Sequence, residues 1–205
     1  MPEITPILTA KEPPCILRDV PEEIIGARIL LRPFRVEDAS AVHEAVAESV
    51  AHLRPWMPWA TPEYDLAEAQ AYVRRALAKW ILREDLALGI WKRDEGRYLG
   101  GTGLHRIQWD IPAFEIGYWL RQSEEGRGYM AETVTLLTRC CFTTLNANRL
   151  EIRCDTRNTR SANVPRRLGF VHEATLRNDS RATSGELRDT FVFALTPADY
   201  ERVFQ

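Results

Sequence analysis

The stretch with the most chemical content is Glu124-Glu125-Gly126-Arg127-Gly128-Tyr129-Met130-Ala131-Glu132. It follows an apolar run directly and opens a long amphipathic one. Gly126 and Gly128 permit backbone conformations that residues with side chains avoid. The first turn of the helix behind them presents N–H groups with no intrahelical partner, at the positive end of the macrodipole. That arrangement cradles anions. The spacing is not the GxxxxGK[ST] of a phosphate loop or the GxGxxG of a dinucleotide turn, and no acidic residue ending a second parallel strand supports the latter. A lone Gly-x-Gly is also what an empty tight turn needs. Arg127, with Arg160 and Arg166 further along the chain, adds charge suited to a polyanion, although each can equally be solvated surface.

Proton transfer needs a group with a suitable pKa. In Phe114-Glu115-Ile116-Gly117-Tyr118, strand alternation puts Glu115, Gly117 and Trp119 on one face. A carboxylate among apolar neighbours loses solvent, which raises its pKa toward a useful range for a general base. A structural carboxylate paired with an arginine is the competing reading. His105, ending the preceding strand, titrates near neutrality but can also be a half-buried structural histidine.

The elements that must hold these residues follow from hydrophobic periodicity. Residues 28–35 alternate and read as a strand, and 37–48 as a helix with Glu37 and Asp38 in its first turn. Pro55, Pro58 and Pro62 interrupt the chain around Trp56, Met57 and Trp59, after which 66–82 carries a helical stripe. Strands at 86–91 and 98–107 flank the turn Arg93-Asp94-Glu95-Gly96, and 114–120 is a third. A helix over 128–145, strand 150–154, short helix 161–168, strands 171–177 and 187–195, and helix 197–203 complete the order. Strands with early and late helices predict an α/β domain, one sheet with helices on its faces.

Length and composition bound the function. The 205 residues amount to about one domain with extensions, taking roughly 150 per domain. Residues 1–26, with five prolines, read as an irregular arm, and 27–205 as the domain. Twenty-seven basic against twenty-nine acidic side chains give a formal net charge of -2, which argues against nucleic-acid backbone binding. No basic and apolar leader and no membrane-length run is visible, and Cys15, Cys140, Cys141 and Cys154 form no CxxC pair. A cytoplasmic protein with reduced thiols is the expectation.

A further stretch, Asn158-Thr159-Arg160-Ser161-Ala162-Asn163-Val164-Pro165-Arg166-Arg167-Leu168-Gly169-Phe170, follows a strand. With Leu31-Arg32-Pro33-Phe34 and Asp38, Pro55-Trp56-Met57-Pro58-Trp59, Gly100 to Leu104, Glu115-Ile116-Gly117-Tyr118-Trp119-Leu120 and Gly126-Arg127-Gly128-Tyr129-Met130, it stands in an order that runs through most of the chain. In these pieces the chain resembles the GNAT family of acyl-CoA-dependent N-acetyltransferases, in its RimJ/RimL-like ribosomal-protein serine/alanine branch. The resemblance implies a mostly antiparallel mixed sheet with helices on both faces and a splayed central strand pair. It implies acetyl-CoA as co-substrate and no metal, with the pyrophosphate on Gly126, Arg127, Gly128, Tyr129, Met130 and Ala131. The pantetheine would run along Ile116, Tyr118 and Leu120, in the cleft against the strand of Ile152 to Asp155, and Asn158 would hydrogen-bond it.

For catalysis the resemblance implies direct attack by a primary amine, of a protein N-terminus or a small molecule, in a ternary complex. Glu115 is the first candidate base and His105 the second. Many superfamily members place a tyrosine acid four residues before the glycine of Leu-Gly-Phe; here Pro165 stands there, which puts that role in doubt and leaves Ser161 as the substitute donor. Pro165 should also make its helix start late or bend. Trp56, Met57, Trp59 and Glu115 would wall the acceptor site, while Trp91, Trp119 and Cys154 read as core. The partners expected are an acyl-CoA and an amine, with no nucleic acid and no membrane, in a monomer or homodimer. A non-catalytic acyl-CoA sensor with the same fold is the alternative.

Overall fold

The structure, a computed structural model, describes residues 18–204. Most of the proline-containing arm, with Cys15, lies outside the described residues. In chain order the elements are β1 (Ile24–Ile25), β2 (Ile29–Pro33), α1 (Ala39–Leu53), α2 (Leu66–Leu82), β3 (Leu86–Lys92), β4 (Tyr98–Gln108), β5 (Ala113–Leu120), α3 (Tyr129–Thr143), β6 (Arg149–Asp155), α4 (Thr159–Arg167), β7 (Val171–Arg181), β8 (Leu187–Leu195) and α5 (Pro197–Phe204). The eight strands form one sheet in the order β1-β2-β3-β4-β5-β6-β8-β7. Only β5 and β6 run parallel. The α/β architecture and the mixed, mostly antiparallel sheet are as expected.

Helices cover the two faces unequally. α1 and α2 bury Val42, Val46, Val73 and Ala76 against Phe34, Trp91 and Tyr98 of the first strands. α3, α4 and α5 lie on the opposite face, over a larger core that includes Ile116, Val134, Leu137, Cys141, Leu150, Ile152 and Phe193. β3, apolar up to its final Lys92, is covered on both sides and buried from Leu86 to Trp91, as a central strand requires. Past β5, the face shared with α1 and α2 carries ion pairs in place of a helix: Arg149 with Glu151 and Glu173, and Arg153 with Asp179. That half of the sheet stays open.

Three local departures have plain causes. Ile24 and Ile25 leave the irregular arm to pair with Leu31 and Leu30, a two-residue strand too short for periodicity to mark. α4 starts at Thr159, earlier than expected, because Asn158 Oδ1 accepts the Ser161 N–H at 3.0 Å and caps it. Pro165 neither delays that start nor ends the helix; it sits inside the last turn.

Candidate active site

The sheet opens where its parallel pairing stops. β5 and β6 are in register at Ala113–Arg149, Phe114–Leu150 and Glu115–Glu151, and no further. Beyond Glu115 the β6-facing backbone edge of β5 therefore has no ladder partner among the described residues. An unpaired edge accepts an extended polar chain in the way it would accept a strand. The divergence leaves a cleft of about 1020 Å³, lined by Tyr118 to Leu120, the loop before α3, α4 from Asn158 to Arg167, and Trp56 and Met57. Such a volume lies at the upper end of small-molecule sites, which run to roughly 1,000 Å³.

One end of the cleft is the N-terminus of α3. Gly126 (φ +73°) and Gly128 (φ +81°) are both in the left-handed region. A Cβ at Gly126 would meet nothing within 4 Å, so backbone conformation and not crowding demands glycine there. Gly128 caps α3 without a side chain, and among the described residues no acceptor meets the N–H groups from Gly126 to Ala131. The loop is nonetheless well fixed. Ser49 Oγ accepts from Gln122 N and Glu48 Oε1 from Ser123 N, each at 3.0 Å, and Arg28 Nη1 donates to Arg127 O at 2.8 Å. Five or six donors held in a rigid turn form an anion site by construction.

Charged side chains rim this end. Glu125 holds Arg160 at 2.6 Å and His52 Nε2 at 2.8 Å, whereas the Arg127 side chain, expected at the anion site, pairs with Glu124 at 3.4 Å and does not line the cleft. Arg166 is not among the lining groups: its guanidinium lies over Phe191 and Phe193, at 5.2 and 5.5 Å from their centroids. Successive helical residues point about 100° apart, so the adjacent Arg167 takes the place in the cleft, together with Arg157.

The middle of the cleft is bridged by hydroxyl groups. Pro165 has no N–H, so the Ser161 carbonyl lacks its helical donor. The Tyr118 hydroxyl of β5 supplies the missing bond at 2.9 Å, and Ser161 Oγ donates back to it at 3.3 Å. Burial holds the Tyr118 hydroxyl well above its ordinary pKa. Cys154 sits beside Ser161, buried, with its thiol pushed up to about 11 by loss of solvent. It is packing and protonated at neutral pH. Ile116 is also buried, so only its backbone is offered to the cleft.

Glu115 and His105 stand on the open face. Glu115 is one-fifth exposed, 3.3 Å from Arg106 Nε. Burial raises its pKa, against the pull of Arg106, Arg153 and His105. His105 Nδ1 meets Asp85 Oδ2 at 2.7 Å. Trp56 and Met57 line the cleft, while Trp59 stands one layer behind, edge-on to Trp119 at 5.6 Å. Trp119, expected in the core, is half-buried and forms cleft wall. The hairpin between β7 and β8 reaches over this side, with Thr183 Oγ1 donating to Pro55 O at 3.5 Å. Sequence reasoning did not find Asp85, His52, Arg157 or Arg167. Asp85 and His52 meet partners distant in the chain, Arg167 depends on which helix face it takes, and Arg157, bonded to Asp155 two residues before it, carries no spacing that marks a cleft residue.

Residues 28–171 match the family model of the acetyltransferase (GNAT) domain, more than half of the chain. The chain belongs to the GNAT acetyltransferase family. By that membership it is an N-acetyltransferase. This GNAT protein is 27% identical over 179 residues to the uncharacterized N-acetyltransferase p20 of Bacillus licheniformis, covering 87% of this chain and 98% of the relative. It is 26% identical to the ribosomal protein uS5-alanine N-acetyltransferase of Escherichia coli, covering 84% and 90%. Among solved structures, the ribosomal L7/L12 α-N-protein acetyltransferase RimL in complex with coenzyme A superposes with a TM-score of 0.79 at 22% identity, covering 85% of this chain and 98% of that one. The relatives are thus matched over nearly their whole length.

Proposed function

We propose that the chain transfers an acetyl group from acetyl-CoA to the α-amine of a protein N-terminus, by direct attack in a ternary complex. The observation that carries this reading is the row of unpaired N–H groups from Gly126 to Ala131, opening onto a cleft that continues along the unpaired edge of β5. When bound, acetyl-CoA supplies a thioester carbonyl at that edge. Gly126, Arg127, Gly128, Tyr129, Met130 and Ala131 hold the pyrophosphate through their backbone, and the β5 backbone at Ile116, Tyr118 and Leu120 holds the pantetheine arm. Asn158, whose Oδ1 is spent on the α4 cap, offers its amide donor to that arm. Ser161 Oγ, which lines the cleft beside the Tyr118 hydroxyl, donates to the departing sulfur.

The acceptor comes from the open face. Trp56 and Met57, with Trp59 behind them, form one wall, and the β7–β8 hairpin bridges to Pro55. Glu115 attracts the amine, and it and His105 share the floor where its proton must leave. An open trough suits an extended peptide better than a small cation, which favours a peptide over a small-molecule amine. The relative from Escherichia coli bears the name of a ribosomal-protein alanine acetyltransferase, which supports both a protein acceptor and a cytoplasmic location. No helix among the described residues is long and apolar enough to cross a membrane.

The test is calorimetric binding of acetyl-CoA, followed by thiol release against N-terminal peptides and small amines. Binding with peptide-dependent release is the expected result. Binding without release under any acceptor would favour an acyl-CoA sensor, and no binding would remove the reading altogether.

A further inference from the structure

The floor beside Glu115 is covered by one ring. His105 lies over Gly103 of its own strand and over Gly117 of β5. A Cβ at Gly103 would stand 3.1 Å from His105 Cε1, and one at Gly117 would stand 2.8 and 2.9 Å from Cδ2 and Nε2. A side chain at Gly117 would displace the imidazole, because packed groups do not approach so closely, whereas at Gly103 the β3 backbone excludes a side chain first, with Leu86 O at 2.8 Å and Ala87 Cα at 2.9 Å. At the ring's other edge Nδ1 meets Asp85 Oδ2 at 2.7 Å. Asp85 is fixed by its place between the end of α2 and the start of β3. Gly117 thus leaves room for the ring against the sheet, and the Asp85 carboxylate fixes its Nδ1 edge.

This contact sets which nitrogen carries the proton. A carboxylate only accepts, so the neutral ring is protonated on Nδ1 and keeps its lone pair on Nε2. Among the described residues Nε2 has no hydrogen-bond partner, and the side chain is 34% exposed. The lone pair stands beside Gly117, two residues past Glu115, the last position where β5 and β6 pair. Asp85 lies on one flank of the ring, and Glu115 and Arg106 on the other.

We infer that His105 Nε2 takes the proton of the acceptor amine, and that Asp85 is the positioning residue that makes His105 able to do so. The inference rests on the acetyl-transfer reading above. In the step, a bond forms between the amine nitrogen and the thioester carbonyl carbon. One N–H proton passes to Nε2, directly or through one water, and the C–S bond breaks with its electron pair leaving on sulfur. Asp85 stabilises the resulting imidazolium, which returns its proton to solvent, and a solvent proton neutralises the sulfur. Glu115, in register with His105, draws the cationic amine to the trough, where it releases a first proton to solvent and attacks as the neutral amine.

Two measurements decide it. Nitrogen NMR of the histidine rings, on the protein without acetyl-CoA, should show His105 with a protonated Nδ1 and a bare Nε2, the signal assigned by its loss in His105→Gln. In Asp85→Asn the amide can donate to Nδ1, and the Nε2-protonated tautomer should appear. Kinetically, Asp85→Asn should lower kcat with a saturating peptide on the order of 10²-fold, at the low end of general-base effects. Acceptor KM and acetyl-CoA Kd should stay within about twofold. Gly117→Ala, which keeps both partners but pushes the ring aside, should lower kcat in the same way. A wild-type ring protonated on Nε2, or a His105→Gln enzyme with kcat within about twofold of wild type, would overturn the inference. A wild-type protein that neither binds acetyl-CoA nor turns over any amine would sink the transfer reading itself, and the inference with it.

Discussion

Glu115 holds its carboxyl group in a place that disfavours charge. Burial raises its pKa, so the folded protein binds that proton more tightly than the unfolded chain does. Its contribution to stability is therefore fully present below the unfolded pKa and is lost as pH rises through the raised folded value. Once ionised, the buried carboxylate is a net cost. Glu115→Gln should accordingly raise Tm near neutral pH, with the gain shrinking as the medium is acidified, in thermal melts across that range. The same variant should lose kcat/KM for a peptide amine by about 10- to 10²-fold, the worth of a partly buried charged contact of roughly 1.5–3 kcal/mol. A protein that becomes more stable and less active together marks a functional carboxylate; one that loses both marks a structural one. Cys154 behaves oppositely. With its thiol pushed up to about 11, it should react slowly with alkylating agents at neutral pH, and Cys154→Ala should retain turnover.

At the scale of elements, α4 is held to β5 through a bond that one proline makes available. Tyr118 donates to the Ser161 carbonyl at 2.9 Å because Pro165 cannot. Tyr118→Phe leaves that carbonyl without a donor and should cost about 1–3 kcal/mol in denaturant unfolding. In a Pro165→Ala background the restored N–H can satisfy Ser161 O, so the same Tyr118→Phe change should cost distinctly less. The double-mutant cycle reads the difference as a coupling energy, and additive costs would break the link between Pro165 and Tyr118. Ser161, Pro165 and Tyr118 were each visible in the sequence as separate features. Their connection was not, because β5 and α4 meet only after α3 and β6 have been laid between them.

Across the whole molecule, charge is local where it matters. The chain is net -2, yet Arg157, Arg160 and Arg167 line the same cleft as the α3 N-terminus, which we propose holds the phosphates. Acetyl-CoA binding should therefore weaken as salt rises, since at 1 M the screening length falls to about 3 Å. Calorimetric titrations at increasing salt measure this directly. A Kd indifferent to salt would mean that backbone donors alone hold the phosphates. Arg167→Ala should flatten the salt dependence, whereas Arg166→Ala should leave it intact, because Arg166 is committed to Phe191 and Phe193.

What the sequence determined by itself is whatever short spacing encodes. Gly126 and Gly128 ahead of an amphipathic helix specify a backbone donor site, since φ and free N–H groups are local properties. Alternation in Phe114 to Tyr118 placed Glu115 and Gly117 on one face, and hydrophobic periodicity located nearly every helix and strand. Tertiary structure decided the rest. Parallel pairing of β5 with β6 for three residues only opens the cleft between them. Asp85 reaches His105 from 20 residues away, and Gly117 leaves room for its ring only once β4 and β5 are in register. Side chains that meet through space carry no mark of their meeting in the chain, because the distance that sets their chemistry does not exist until the sheet is assembled.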